Sequence, residues 1–122
     1  MKTCLIVDDS EIVRKYARLI FESLGYRVLD ADRPQAAFER LEGETPDLIL
    51  ADWKMPGAST HDFIAQVRRM TNLRRPYILY LSTENDAADF DRAAKAGADD
   101  YLLKPFNREI IEMKLQEIRV AA

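Results

Sequence analysis

Five short apolar runs, TCLIVD (3–8), YRVLDA (26–31), PDLILAD (46–52), PYILYLS (76–82) and DYLLK (100–104), alternate along this chain with stretches of helical periodicity. This alternation constrains the fold more than any other feature. A continuous apolar run bounded by turn residues reads as a strand buried on both faces, and parallel strands joined by helices are the arrangement that covers both faces. SEIVRKYARLIFESLG (10–25) reads as a helix with Ser10 as N-cap and Gly25 as terminator after Leu24; Val13, Tyr16, Ala17, Ile20 and Leu24 form its expected core stripe. RPQAAFERLEG (33–43) carries Pro34 in its first turn and stops near Gly43. WKMPGAST (53–60) is a loop by its Pro and Gly, followed by helices over HDFIAQVRRM (61–70), NDAADFDRAAKAG (85–97) and NREIIEMKLQEIRV (107–120). The second run is the least apolar, which places it near a sheet edge. Strict alternation with short connections implies right-handed crossovers and an open, doubly wound α/β sheet of five parallel strands.

In such a sheet, ligands bind beyond the carboxyl ends of the strands, where the strand order reverses. That edge collects Asp8 and Asp9 after the first strand, Asp52 after the third, Ser82 and Thr83 after the fourth, and Lys104 after the fifth. Two adjacent carboxylates with no basic neighbour resist joint ionisation, by roughly 4 kcal/mol at 4 Å and an effective dielectric near 20. A bound divalent cation would supply the missing positive charge. Mg²⁺, with Mn²⁺ as a substitute, suits Asp8, Asp9 and Asp52, because it is a hard ion that combines one or two carboxylates with water and phosphate oxygens. Asp52 is the candidate nucleophile for phosphoryl transfer, with Lys104 offsetting charge on the phosphoryl oxygens and the Ser82 hydroxyl bonding one of them.

These motifs resemble those of the receiver domains of two-component response regulators, particularly the stand-alone chemotaxis type. The resemblance covers the whole chain and rests on LIVDDS (5–10), PDLILADWKMPG (46–57), LSTE (81–84) and GADDYLLKPF (97–106). It implies a flavodoxin-like (βα)5 fold with strand order 2-1-3-4-5. It implies also that Asp8, Asp9, Asp52 and the Lys54 backbone carbonyl hold Mg²⁺. Asp52 would take phosphate from a phosphohistidine or small donor, with Ser82, Lys104 and the Thr83 backbone amide on the phosphoryl group. Ser82 and Tyr101 would be the switch pair, and the Lys104–Pro105 peptide would be cis. The implied partners are a sensor histidine kinase or histidine phosphotransfer protein and a downstream target protein, met on the surface of the fourth strand, fourth helix, fifth strand and fifth helix. The chain departs from the family pattern at Thr60, where the family usually carries Gly, and this departure puts the loop before the third helix in question. Lys54 and Glu84 fall on the positions that tune phosphoryl lifetime, where opposite charges are expected to pair across the site.

At 122 residues, 48% hydrophobic and 32% charged, the chain reads as a single receiver domain over 1–122 with no output domain. No apolar run reaches the ~18–20 residues of a membrane span and MKTCLIVDD is too short for a signal peptide, so the expectation is a cytoplasmic monomer without membrane insertion. A net charge of −3 argues against DNA as a partner. One cysteine, Cys4, and one histidine, His61, exclude a Cys/His zinc site; Cys4 reads as core and His61 as an ordinary surface residue. Ile12, Leu19 and Met113 lie off the core stripes and are candidates for partner contact. RRMTNLRR (68–75) reads as a solvated helix end; its sharper alternative is a patch for a nucleotide or acidic partner, which would make the chain a phosphate-independent or nucleotide-responsive interaction module. A phosphohydrolase using an aspartyl-phosphate intermediate is disfavoured, because Lys54 stands where a second acid/base carboxylate is needed and no insertion supplies a cap.

Overall fold

The computed structural model describes residues 2–121, and the side chains of residues 2–118. Its elements are β1 (Thr3–Val7), α1 (Glu11–Ser23), β2 (Arg27–Ala31), α2 (Pro34–Gly43), β3 (Leu48–Asp52), α3 (Thr60–Arg69), β4 (Tyr77–Ser82), α4 (Ala87–Ala96), β5 (Asp100–Leu103) and α5 (Arg108–Ala121). The five strands form one parallel sheet in the order β2-β1-β3-β4-β5, with β2 at an edge as expected. Expected and observed boundaries differ by one or two residues at most ends, where capping residues close the helices.

Alternation along each strand sorts the core into two layers. Cys4 and Ile6 of β1, Leu48 and Leu50 of β3, and Leu79 and Leu81 of β4 pack against Ala17, Ile20 and Phe21 of α1 and Ile111 and Leu115 of α5. The intervening residues Leu5, Val7, Ile49, Ala51, Ile78 and Tyr80 pack against α2, α3 and Ala93 of α4. Because both faces are covered, the central strands are apolar throughout. Local signals set the helix ends: the Ser10 hydroxyl accepts from the Val13 N–H, Pro34 opens α2, and Asp86 caps α4 through the N–H groups of Ala88 and Asp89.

The expected α1 stripe needs one correction. Tyr16 is 45% exposed, and its ring stacks on Phe106 with centroids 6.1 Å apart, so α1 buries Phe21 in place of Tyr16. Ile12, Leu19 and Met113 are exposed and Cys4 is fully buried, as the patterning predicts. Burial also pushes the Cys4 thiol far above its usual range, which makes it an inert core residue.

Candidate functional site

The chain passes from β1 outward to β2 and returns on the other side as β3, so the strand order reverses between β1 and β3. The carboxyl ends of these two strands therefore form the crevice, with β4 and β5 extending it on one side. Asp8 follows β1, Asp52 ends β3, Ser82 ends β4 and Lys104 follows β5; Asp8, Asp52 and Ser82 are buried.

Lys104 reaches across the sheet edge. Its Nζ donates to Asp8 Oδ2 at 2.6 Å and lies 2.7 Å from Asp52 Oδ1. The second contact is off the hydrogen-bonding direction, and among the described residues the buried Asp52 Oδ1 has no hydrogen-bond partner. The Lys104–Pro105 peptide is cis. Asp8 also serves the local fold: its Oδ1 accepts from the Ser10 N–H at 2.9 Å, and its main-chain carbonyl accepts from Arg14 at 2.8 Å. One oxygen of Asp8 thus holds the turn that leads into α1, whose N-cap is Ser10, while the other meets Lys104.

Burial raises the Asp52 pKa to about 6; the charges of Asp8 and Asp9 add to the rise and Lys104 opposes it. Burial alone would depress Lys104, but its contacts with Asp52 and Asp8 outweigh that and hold the ammonium above its ordinary value. Three carboxylates face one lysine here, so the site carries up to two more negative charges than its lysine can offset. Carboxylate oxygens of Asp8, Asp9 and Asp52 all lie within 4.8 Å of one another, a set of hard oxygen donors that fits Mg²⁺. Asp52 Oδ1 among them has the charge of Lys104 beside it but takes no directed hydrogen bond, which leaves it a lone pair for a cation.

Around this centre, Ser82 turns its hydroxyl onto its own loop, donating to the Glu84 carbonyl at 3.1 Å and accepting from the Glu84 N–H at 3.0 Å. Tyr101 is 41% exposed and stacks on Phe90 of α4 at 3.9 Å between centroids, with Lys114 Nζ 5.8 Å from the ring. Lys54 and Glu84 are both exposed, and no ion pair joins them among the described residues, so the expected pairing across the site is not formed. Thr83 lies on a groove of about 520 Å³ beside Lys104, lined also by Val13, Tyr16, Pro105 and Phe106.

Two sequence expectations are corrected here. His61 is not an ordinary surface residue: its ring lies 5.4 Å from that of Tyr80, and its Nε2 lies 3.3 Å from Asp89 Oδ1, the carboxylate to which the Tyr80 hydroxyl donates at 2.8 Å. The arginine cluster is not wholly solvated either. Arg68 donates to the carbonyls of Gly97 and Pro76 and to Asp99 Oδ2, and Arg75 donates to Asp99 Oδ1. These two guanidiniums staple α3 and β4 to the turn before β5, which leaves them committed and weakens the nucleotide reading. No periodic signal marks Arg68 for this role, because Asp99 stands 31 residues away.

A doubly wound sheet with this carboxylate and lysine edge defines a receiver domain, and the chain belongs to the family described as "Response regulator receiver domain", whose profile matches residues 4–116. Among individual proteins, it is similar to the chemotaxis protein CheY1 of Helicobacter pylori, 32% identical over 116 residues that cover 93% of this chain and 94% of the relative. It is 30% identical over 114 residues to the phosphate regulon transcriptional regulatory protein PhoB of Escherichia coli K12, of which the chain spans about half the length. The solved high-resolution structure of the chemotaxis response regulator CheY4 of Vibrio cholerae superposes with a TM-score of 0.90 at 30% identity, covering 97% of this chain and 98% of that one. The family consists of signalling switches that work with histidine kinases and downstream targets. Among the described residues no helix is long and apolar enough to cross a membrane.

Proposed function

We propose that this chain is the receiver domain of a response regulator in which Asp52 accepts a phosphoryl group from a phosphohistidine donor and the β4-α4-β5-α5 surface changes partner affinity in response. The observation that carries the reading is the buried Asp52 carboxylate, held 2.7 Å from Lys104 Nζ with Oδ1 free of hydrogen bonds and grouped with Asp8 and Asp9. In the transfer, an Asp52 oxygen forms the new bond to phosphorus as the P–N bond to the donor imidazole breaks. The electron pair stays on that nitrogen, and a proton taken up from solvent completes the neutral imidazole. Asp8, Asp9, Asp52 and the Lys54 carbonyl would hold Mg²⁺, whose charge would offset that of the phosphoryl oxygens. Lys104 is already at the acceptor and would pair with one of those oxygens. The Ser82 hydroxyl and the Thr83 amide would take the others.

The switch follows from what Ser82 gives up. Turning its hydroxyl to the phosphoryl group releases both bonds to Glu84 and draws the β4–α4 loop inward. Tyr101, stacked on Phe90 of α4, would then move with the helix start. For partner docking, the groove bordered by Tyr16 and Phe106 lies beside Lys104, where a donor helix must come to deliver its phosphohistidine, and Ile12 and Leu19 are exposed on α1, the helix that supplies Tyr16 to it.

The test is intact-protein mass after incubation with acetyl phosphate, with and without Mg²⁺, for the wild type and Asp52→Ala. The expected result is one Mg²⁺-dependent phosphoryl adduct, labile to hydroxylamine and missing in the variant. An adduct that persists in Asp52→Ala would overturn the assignment. So would a wild type that accepts phosphate from neither acetyl phosphate nor a phosphohistidine protein.

A further inference from the structure

Thr60 opens α3, but its hydroxyl takes no part in capping that helix, since Ser59 is the N-cap and accepts from the Asp62 N–H. Instead, Thr60 Oγ1 turns back and donates to the main-chain carbonyl of Asp52 at 2.6 Å, in surroundings that leave Thr60 2% and Asp52 3% exposed. The N–H of the same peptide unit, that of Trp53, donates to the Leu81 carbonyl at 2.7 Å. Both polar groups of the Asp52–Trp53 peptide are therefore bound, one by α3 and one by β4. A peptide unit is planar, so holding its two ends fixes its orientation, and with it the backbone torsions on either side. These are the torsions that aim the Asp52 side chain and start the loop carrying Lys54. The loop itself is closed by the Met55–Ala58 bridge over Gly57, at φ +73. A glycine at position 60 would have no hydroxyl with which to make this bond.

We propose that Thr60 is a positioning residue for the phosphoacceptor: its hydroxyl locks the Asp52–Trp53 peptide so that the Asp52 carboxylate and the Lys54 carbonyl are presented together to the cation. This deepens the assignment of Asp52 and rests on it. Thr60 touches no reacting atom, and its effect runs through the main chain of Asp52. Sites that must hold groups to within about half an ångström depend on such supporting bonds.

The experiment compares Thr60→Val, which keeps the shape and loses the donor, with Thr60→Ser, which keeps the donor. Mg²⁺ affinity is read from the fluorescence of Trp53, the sole tryptophan. The acetyl phosphate reaction at saturating Mg²⁺ is resolved into maximal rate and half-saturation. Loss of one well-aligned hydrogen bond predicts a fall of about three- to tenfold in Mg²⁺ affinity and in maximal rate for Thr60→Val, with half-saturation unchanged, and near-wild-type values for Thr60→Ser. Thr60→Val matching the wild type in both would overturn the proposal. So would Thr60→Ser losing as much as Thr60→Val, since the defect would then be one of packing. If Thr60→Val does not fold, Thr60→Ala against Thr60→Ser makes the same comparison. A wild type that forms no adduct rejects the phosphoacceptor reading, and the Mg²⁺ titrations of the variants still decide the part played by Thr60.

Discussion

Replacing Asp52 by Asn should make the folded protein more stable at neutral pH when divalent ions are chelated. Asp52 is buried beside Asp8 and Asp9, and its pKa stands at about 6 against an ordinary 3.8. The native state therefore holds this proton more tightly than the unfolded chain does. The associated stability is fully present below about pH 3.8 and is lost as pH rises through about 6. An interval of that size corresponds to about 3 kcal/mol, which the ionised carboxylate costs the fold at neutral pH. Asn keeps the volume and carries no charge, while Lys104 retains its 2.6 Å partner Asp8, so the ammonium is not left unpaired. The value of about 6 already includes the opposing contact with Lys104, so the expected gain stays at about 3 kcal/mol, roughly 1–3 M in urea midpoint for a domain of this size. The assay is urea unfolding in chelator, followed by circular dichroism, near pH 7 and near pH 4. The difference should shrink at the acidic condition, and Mg²⁺ should raise the wild type more than the variant, because binding to the native state adds stability by mass action. A variant no more stable than the wild type at neutral pH, or a difference equal at both pH values, would refute the reasoning.

Other substitutions test other parts of the edge and its supports. Lys104→Met removes the cation between Asp8 and Asp52 and should cost about 3–5 kcal/mol in chelator, with part of the loss recovered on adding Mg²⁺; a Mg²⁺-independent loss in urea unfolding would count against a shared cation site. Arg68→Met strands the carbonyls of Gly97 and Pro76 while Asp99 keeps Arg75 and the Ile78 N–H, and a loss of about 2–4 kcal/mol is expected by thermal or urea melting. Gly97→Ala should also destabilise, by about 1–3 kcal/mol, since its Cβ would meet Arg68 Cγ at 2.5 Å and its φ is +127. Tyr80→Phe removes the hydroxyl that donates to Asp89 and should lower stability by about 1–2 kcal/mol; an unchanged melting temperature would show that the bond contributes nothing net.

The amino-acid sequence alone determined the alternation of strand and helix, the two-sided burial of the central strands and the gathering of Asp8, Asp52, Ser82 and Lys104 at one edge. These follow from periodicity, from capping residues such as Ser10 and Pro34, and from the topological rule that parallel strands end on the same side. All three act over a few residues or over whole elements, so they can be read without coordinates. Side-chain commitments between distant segments were decided only in three dimensions. Thr60, conspicuous in sequence as a departure, closes its loop by bonding the Asp52 carbonyl eight residues away. Arg68, expected at a solvated helix end, is held by Gly97 and Asp99, and His61 lies against Tyr80 and Asp89. Tyr16 has the right spacing for the core, yet Phe21 fills that layer and leaves the tyrosine to stack on Phe106. The direction of the Ser82 hydroxyl and the stacking of Tyr101 on Phe90 belong to the same category. Each depends on which rotamer a side chain adopts and which group from another element arrives within about 3 Å of it, and periodicity specifies neither.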